Sequence, residues 1–224
     1  MRALSFQAGL TVGGLLEDGV AVLQRAGVAG ARRDAEVLLG HVLRRGRAWL
    51  YAHADSSVLP SAREDFSSLV RGRSAGCPVA YLTGWREFWS LELSVTAATL
   101  IPRPETEHVV EEALRVIDGF GGIASAWDVG TGCGNIAVAL ARSASRLHVL
   151  ATDRSPSALA VAARNVGRHR VADRVRLVAA DLDEPLGSAR FHLVVSNPPY
   201  VSADEWADLP RDVREFEPAE ALLG

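Results

Sequence analysis

Four short apolar runs, each ending in a polar residue, constrain the fold of this 224-residue chain more than any other feature. The runs cover residues 124–129, 147–152, 175–180 and 191–196. The polar residues at their ends are Asp128, Asp153, Asp181 and Asn197. Helix-like stretches separate the first three runs, and a short connection precedes the last. Buried parallel strands with crossover helices have this texture, so the sequence predicts a doubly wound α/β sheet.

The N-terminal third has a different pattern. Apolar residues recur every three or four positions, for example in ARRDAEVLLGHVLRR at 31–45, which predicts a small helical domain over residues 1–78. Aromatic and β-branched residues replace helix formers from 79 to 104, as expected for a β-hairpin or an extended bridge. Residues 105–224 then hold a predicted helix and the four strands.

The first strand runs into the glycine-rich segment DVGTGCG, residues 128–134. Gly130, Gly132 and Gly134 permit a tight turn and a close approach of ligand to backbone. The spacing differs from the dinucleotide fingerprint, and Asp128 before the first glycine favours a ligand amino group over a pyrophosphate. A strand-to-helix turn without a ligand remains the alternative.

The carboxyl ends of parallel strands form the ligand crevice of such sheets, so the strand-end residues are expected to converge. Asp153 stands 23 residues after Gly130, close to the separation of about 20 at which an acid reaches a ribose diol. Asp181 is placed to accept from an adenine amino group, with Leu182 on the ring face. The alternatives are a turn or cap residue for Asp153 and a solvated strand end for Asp181.

The segment SNPPY at 196–200 follows the fourth strand. Proline holds Asn197 outside the helical region and brings no N–H of its own, so the turn offers acceptors without competing donors. The Asn197 side-chain oxygen and the Pro198 carbonyl can both accept from one planar NH2 group, while Tyr200 supplies an aromatic face. A proline-rich turn that merely ends a strand is the alternative.

These motifs resemble known families. DVGTGCG with a later strand-end acid resembles the class I S-adenosylmethionine methyltransferases, and NPPY is similar to the motif of those that methylate NH2 groups on adenine, cytosine or glutamine. WREFWSLELSVTAATLIPRPETE, together with RRDAE, NPPYV and REFEPAEALLG, resembles the release-factor glutamine methyltransferases, the PrmC/HemK family. The resemblance runs from about residue 31 to the end.

The resemblance implies that a methyl group passes from S-adenosylmethionine, leaving S-adenosylhomocysteine, to the glutamine side-chain nitrogen of the GGQ motif in class I peptide release factors. The helical N-terminal domain is then expected to help recognise that partner. It also implies that cofactor-binding residues include Gly130, Thr131, Gly132, Cys133, Gly134, Asp153, Leu182 and Asn197. The implied substrate-binding residues are Asn197, Pro198, Pro199 and Tyr200, of which Asn197, Pro198 and Tyr200 are the expected catalytic ones. Arg103 and Glu105 are expected to shape the pocket mouth.

Class I methyltransferases usually have seven strands, whereas 27 residues follow Asn197 here. We therefore expect a Rossmann-like sheet truncated after its fourth strand, in a fragment or a shortened paralogue. Three hypotheses stay open: a release-factor methyltransferase; an amino methyltransferase of nucleic acid, or of a ribosomal-protein glutamine; and an inactive fragment that binds a protein.

Charge and composition limit the kinds of partner, metal site and cellular location that we expect. Residues 91–224 carry 13 arginines against 19 acids, which argues against nucleic acid as the substrate. Two cysteines and six scattered histidines favour neither a disulfide framework nor a metal site. No apolar run reaches membrane-spanning length and no signal-peptide pattern begins the chain, so the sequence predicts a cytoplasmic protein.

Overall fold

The computed structural model describes residues 11–120, 122, 124–181 and 190–224. The chain divides into two compact units, Met1–Thr83 and Gly84–Gly224. This division falls inside the segment 79–104 that the sequence assigns to a bridge. The three-part division at 78 and 104 stays a prediction.

The first unit is helical in its described part. Its helices are α1 (Val12–Arg25), α2 (Ala31–Leu43), α3 (Arg47–Ala52), α4 (Pro60–Ser74) and α5 (Val79–Thr83). Their apolar faces form one core in which Leu23, Leu38 and Phe66 are fully buried. Gly19 lets Phe66 pack closely against α1, because a Cβ at this position would lie 2.5 Å from Cζ of Phe66.

The second unit begins with a β-hairpin. Strands β1 (Trp85–Phe88) and β2 (Leu91–Ser94) pair antiparallel, with Phe88 opposite Leu91. The turn residues Trp89 and Ser90 have φ values of 54° and 56°, which give the left-handed geometry of a tight two-residue hairpin turn. The buried Asn165 side chain holds the end of β2, since its Oδ1 accepts from the Ser94 N–H at 2.7 Å.

A four-stranded sheet forms the centre of the second unit. Its strands are β3 (Ala124–Val129), β4 (Leu147–Asp153), β5 (Val175–Ala179) and β6 (Leu193–Ser196). The order is β5-β4-β3-β6 and every neighbouring pair is parallel, so the predicted parallel α/β sheet is confirmed. The strand order reverses beside β3, which lies between β4 and β6. Such a switch point opens a crevice at the carboxyl ends of the strands.

Three longer helices accompany the sheet: α6 (Glu107–Asp118), α7 (Asn135–Ser143) and α8 (Pro156–Arg168). Helix α7 is buried along Ile136–Ala141, as expected for a helix that is apolar on nearly all sides. A short helix, α9 (Arg211–Phe216), precedes the C-terminal residues. Within the described ranges, no helix is long and apolar enough to cross a membrane.

Candidate active site

The glycine-rich loop connects β3 to α7 at the switch point of the sheet. Gly130, Gly132 and Gly134 have φ values of 70°, 56° and 81°, which side chains rarely adopt. A Cβ on Gly130 or Gly132 would stand in open space, whereas one on Gly134 would lie 3.2 Å from Cβ of Ala162 in α8. The first two glycines therefore leave the backbone open to a ligand, and the third lets the loop pack against α8.

Asp128 lies behind this loop. Its side chain is completely buried, and its Oδ2 accepts from the Thr131 hydroxyl at 2.7 Å and from the Ala137 N–H at 3.2 Å. Oδ1 is buried without a hydrogen-bond partner among the described residues. Burial raises the pKa of Asp128 to about 6. The structure thus gives Asp128 a loop-bracing position, where the sequence led us to expect contact with a ligand amino group.

Asp153 ends β4 and ties the loop to the neighbouring helix. Its Oδ2 accepts from the Gly132 N–H at 2.8 Å, and its Oδ1 accepts from the Ser155 N–H at 2.9 Å. Ser155 in turn caps α8, since its hydroxyl accepts from the Ala158 N–H. A carboxylate has more lone pairs than these two bonds use, so Asp153 can still accept from a ligand.

A cavity of about 320 Å³ lies at the carboxyl ends of the strands, within the range of about 300–1,000 Å³ typical of small-molecule sites. Predicted site residues that line it are Gly130, Thr131, Gly132, Cys133, Asp153, Asp181, Asn197, Pro198 and Pro199. Asp128, Gly134 and Tyr200 are outside its described lining. Leu182 lies outside the residues that the structure describes.

Asn197 enters the cavity directly after β6. The preceding residue is fixed, because the Ser196 hydroxyl donates to the Val129 carbonyl at 2.9 Å. The Asn197 amide nitrogen is 3.5 Å from Oγ1 of Thr106, a buried residue that also lines the cavity. With Nδ2 directed to Thr106, the side-chain oxygen of Asn197 is left to accept from a guest.

Tyr200 does not contribute an aromatic wall in this structure. Its side chain is among the exposed large apolar groups, at 74% exposure. The next residue, Val201, forms an isolated parallel bridge with Leu223 near the C-terminus. The expected aromatic contact with substrate therefore stays a prediction.

Further parts of the wall come from two segments, in which we had expected only Arg103 and Glu105 to shape the pocket mouth. One is 98–106, including Arg103, and the other is 218–223. Arg103 donates to the buried Glu217 carboxylate at 2.6 Å, which joins the two segments. The first segment overlaps the motif IPRPETE at 101–107 and the second lies within REFEPAEALLG at 214–224, and these motifs were the available signal. Glu105 is outside the described lining.

Cys133 lines the cavity but is unsuited to nucleophilic chemistry. Its side chain is buried, and burial raises the pKa of the thiol to about 12. The reactive form of cysteine is the thiolate, so at neutral pH this group stays an unreactive thiol. Among the residues described, no group of three or more His, Cys, Asp or Glu side chains is arranged to hold a metal ion.

Comparison with family models identifies both parts of the chain. Residues 14–84 match a model described as the PrmC N-terminal domain, and residues 120–210 match one described as the methyltransferase small domain. Among solved structures, the hMettl16 catalytic domain is similar with a TM-score of 0.50 at 17% identity, covering 70% of this chain and 57% of that one. That likeness shows a shared methyltransferase fold.

Curated relatives extend the match over most of the chain. A release factor glutamine methyltransferase of Xylella fastidiosa is 45% identical over 204 residues, which are 91% of this chain and 73% of the relative. Proteins with the same name from Rhodopirellula baltica and Escherichia coli are 43% and 41% identical, over 95% and 86% of this chain and 73% and 68% of their own. The chain therefore belongs to the release factor glutamine methyltransferase family.

Proposed function

We propose that this protein transfers a methyl group from S-adenosylmethionine to the side-chain amide nitrogen of the glutamine in the GGQ motif of class I peptide release factors. One observation carries the proposal: the Asn197-Pro198-Pro199 turn and the open glycine loop line the same cavity. The names of the curated relatives point to the same reaction. A translation factor as partner also fits the expected cytoplasmic location.

The residues of the cavity fit the proposed cofactor. Open backbone at Gly130 and Gly132 gives room for a bulky ligand, and the Asp153 and Asp181 carboxylates are acceptors for hydroxyl and amino groups. We assign Asp153 to the ribose and Asp181 to the adenine end. When bound, the cofactor supplies an electrophilic methyl group on a sulfonium.

The Asn197 turn fits the acceptor. A glutamine amide nitrogen is a weak nucleophile, because its lone pair is delocalised into the carbonyl. The Asn197 side-chain oxygen and the Pro198 carbonyl accept its two N–H groups, which orients the nitrogen towards the methyl group. The same oxygens stabilise the positive charge that grows on nitrogen. The N–H becomes acidic only as the new N–C bond forms, so no general base is needed before transfer, and the proton is then lost to water.

The test is methyl transfer from labelled S-adenosylmethionine to a class I release factor and to its GGQ Gln→Ala variant. Transfer to the first and not to the second supports the proposal. Transfer to both would overturn the assignment of the acceptor. A parallel reaction with duplex DNA and with single-stranded RNA tests the alternative of a nucleic-acid amino group, and label there instead of in the release factor would replace the proposal.

A further inference from the structure

Two segments far apart in the chain meet at the Glu217 side chain. Its Oε2 accepts from the backbone N–H of Ile101 at 3.0 Å, and its Oε1 accepts from the Arg103 guanidinium at 2.6 Å. Arg103 lines the cavity, and Pro218 next to Glu217 lines it as well. This carboxylate therefore joins two walls of one cavity.

Glu217 is buried, so its carboxylate depends on these two partners. The side chain is 1% exposed, while Arg103 is 32% exposed. A carboxylate taken out of water is tolerated only where charged or hydrogen-bonding partners replace the lost hydration. Arg103 and the Ile101 N–H are such partners, so the segment that contains them is held at one position relative to the C-terminal wall.

The segment that Glu217 holds is followed directly by a turn that lies near Asn197, the residue that we assign to bind the acceptor NH2 group. After Arg103, residues Pro104–Thr106 form one turn of 3₁₀ helix, and Thr106 is buried. Oγ1 of Thr106 is 3.5 Å from the amide nitrogen of Asn197. The position of this turn thus sets whether Thr106 Oγ1 stays within reach of the Asn197 amide nitrogen, and a hydroxyl that accepts from Nδ2 leaves the Asn197 side-chain oxygen for another donor.

We propose that Glu217 is a positioning residue for methyl transfer. It acts through Arg103 and the Pro104–Thr106 turn, and it keeps the Asn197 side-chain oxygen available to the acceptor NH2. The inference rests on the proposed function and deepens it. Glu217 itself touches neither substrate nor reacting atoms in this account.

The first variant is Glu217→Gln, which keeps the size of the side chain and an oxygen for the Ile101 N–H but removes the charge that pairs with Arg103. We expect kcat for release-factor methylation to fall by roughly 10- to 100-fold, because a misplaced hydrogen-bond acceptor typically lowers the rate by such a factor. The Kd for S-adenosylmethionine should stay within about 3-fold, because the assigned cofactor residues are untouched. The matched control is Glu215→Gln, an exposed residue that pairs with Arg211, and its kcat should equal that of the wild type.

A double-mutant cycle separates positioning from a general structural effect. Thr106→Val removes the hydroxyl at similar volume, and Thr106→Ser keeps it. If Glu217 acts through Thr106, the double variant Glu217→Gln with Thr106→Val loses no more kcat than the worse single variant, and Thr106→Ser retains activity. Independent, multiplying losses would overturn the proposal.

The outcomes also separate this inference from the function on which it rests. If the wild type transfers no methyl group to a release factor, the proposed function fails. If the wild type is active and folded Glu217→Gln has the same kcat, the positioning role is wrong while the function stands. Thermal unfolding of each variant confirms that a folded protein is being compared.

Discussion

The backbone N–H of Gly132 donates to the Asp153 carboxylate across 2.8 Å, joining the loop after β3 to the end of β4. The carboxylate that we assign to the ribose therefore also fixes the shape of the loop that faces the cofactor. Asp153 cannot be judged as a ligand contact alone, because its replacement changes both the contact and the loop.

Asp153→Asn keeps one oxygen for the Gly132 N–H of the loop, but it removes the charge and the second acceptor, which now meets the Ser155 N–H. We expect the Kd for S-adenosylmethionine to rise by roughly 10- to 100-fold, since a hydrogen bond to a charged group contributes about 1.5–3 kcal/mol. Isothermal titration calorimetry measures this directly. Asp173→Asn, an exposed residue after α8, is the control and should bind as the wild type does. An unchanged Kd in Asp153→Asn would remove Asp153 from the cofactor site.

Gly132→Ala tests the open backbone of the loop. An alanine at a φ of 56° is strained by roughly 1–2 kcal/mol, and its methyl group would stand in the space that we assign to the cofactor. We expect both a lower melting temperature and a loss of cofactor binding. Gly167→Ala is the matched control, because it lies in α8 with open space around its Cβ, and it should stabilise the protein without changing the Kd. Normal binding by a folded Gly132→Ala variant would show that the loop does not face the cofactor.

Asp128 gives an expected pH dependence of stability. Burial raises its pKa from 3.8 to about 6, so the folded protein holds this proton more tightly than the unfolded chain. The protonated Asp128 side chain therefore contributes most to the free energy of unfolding below about pH 4. This contribution, roughly 3 kcal/mol, is lost as the pH rises through about 6. In Asp128→Asn this loss is absent, because the amide does not titrate and its oxygen can still accept from Thr131.

The measurement is the free energy of unfolding of wild type and Asp128→Asn between about pH 4 and about pH 7. The free energy of unfolding of Asp128→Asn, relative to that of the wild type, should increase as the pH rises. Asp118→Asn, at the exposed end of α6, should follow the wild type. Parallel curves for wild type and Asp128→Asn would contradict the raised pKa.

The Asn165 side chain is expected to stabilise the second unit strongly. Its amide nitrogen donates to the Ser94 and Cys133 carbonyls at 3.0 and 2.8 Å, and its oxygen accepts from the Ser94 N–H. Asn165→Ala leaves the buried Cys133 carbonyl and the partly buried Ser94 N–H and carbonyl without these partners, so we expect a loss of about 2–4 kcal/mol in urea unfolding. Arg164→Ala on the exposed side of α8 should stay within about 0.5 kcal/mol of wild type. Equal stability of the Asn165 and Arg164 variants would contradict the bracing role of Asn165.

The strands could be predicted because each is a short apolar run in a parallel sheet. The run at 124–129 coincides with β3, and the run at 147–152 is β4 without its last residue. The order of the strands could not be predicted, since nothing in the local pattern says that β6 pairs with β3 rather than with β5. That pairing depends on contacts across the whole unit.

The candidate site was partly predictable for the same reason. Strand-end residues converge in any such sheet, and Asp153, Asp181 and Asn197 line one cavity. Asp128 is different, because burial alternates along β3 and places it on the same buried face as Ala126. That period of two predicts the burial of Asp128, while a ligand contact of this residue stays a prediction. The pairing of Arg103 with Glu217 joins residues 114 positions apart, which no local pattern reveals.

The most direct test of the account is methyl transfer to an intact class I release factor by wild type and by Asn197→Ala, with the modified residue located by mass spectrometry. We expect one methyl group on the GGQ glutamine with the wild type, and a rate lower by roughly 100-fold with Asn197→Ala, the cost of removing one acceptor aimed at developing charge. The account is contradicted if the folded wild type binds S-adenosylmethionine and Asn197→Ala methylates the release factor at an unchanged rate.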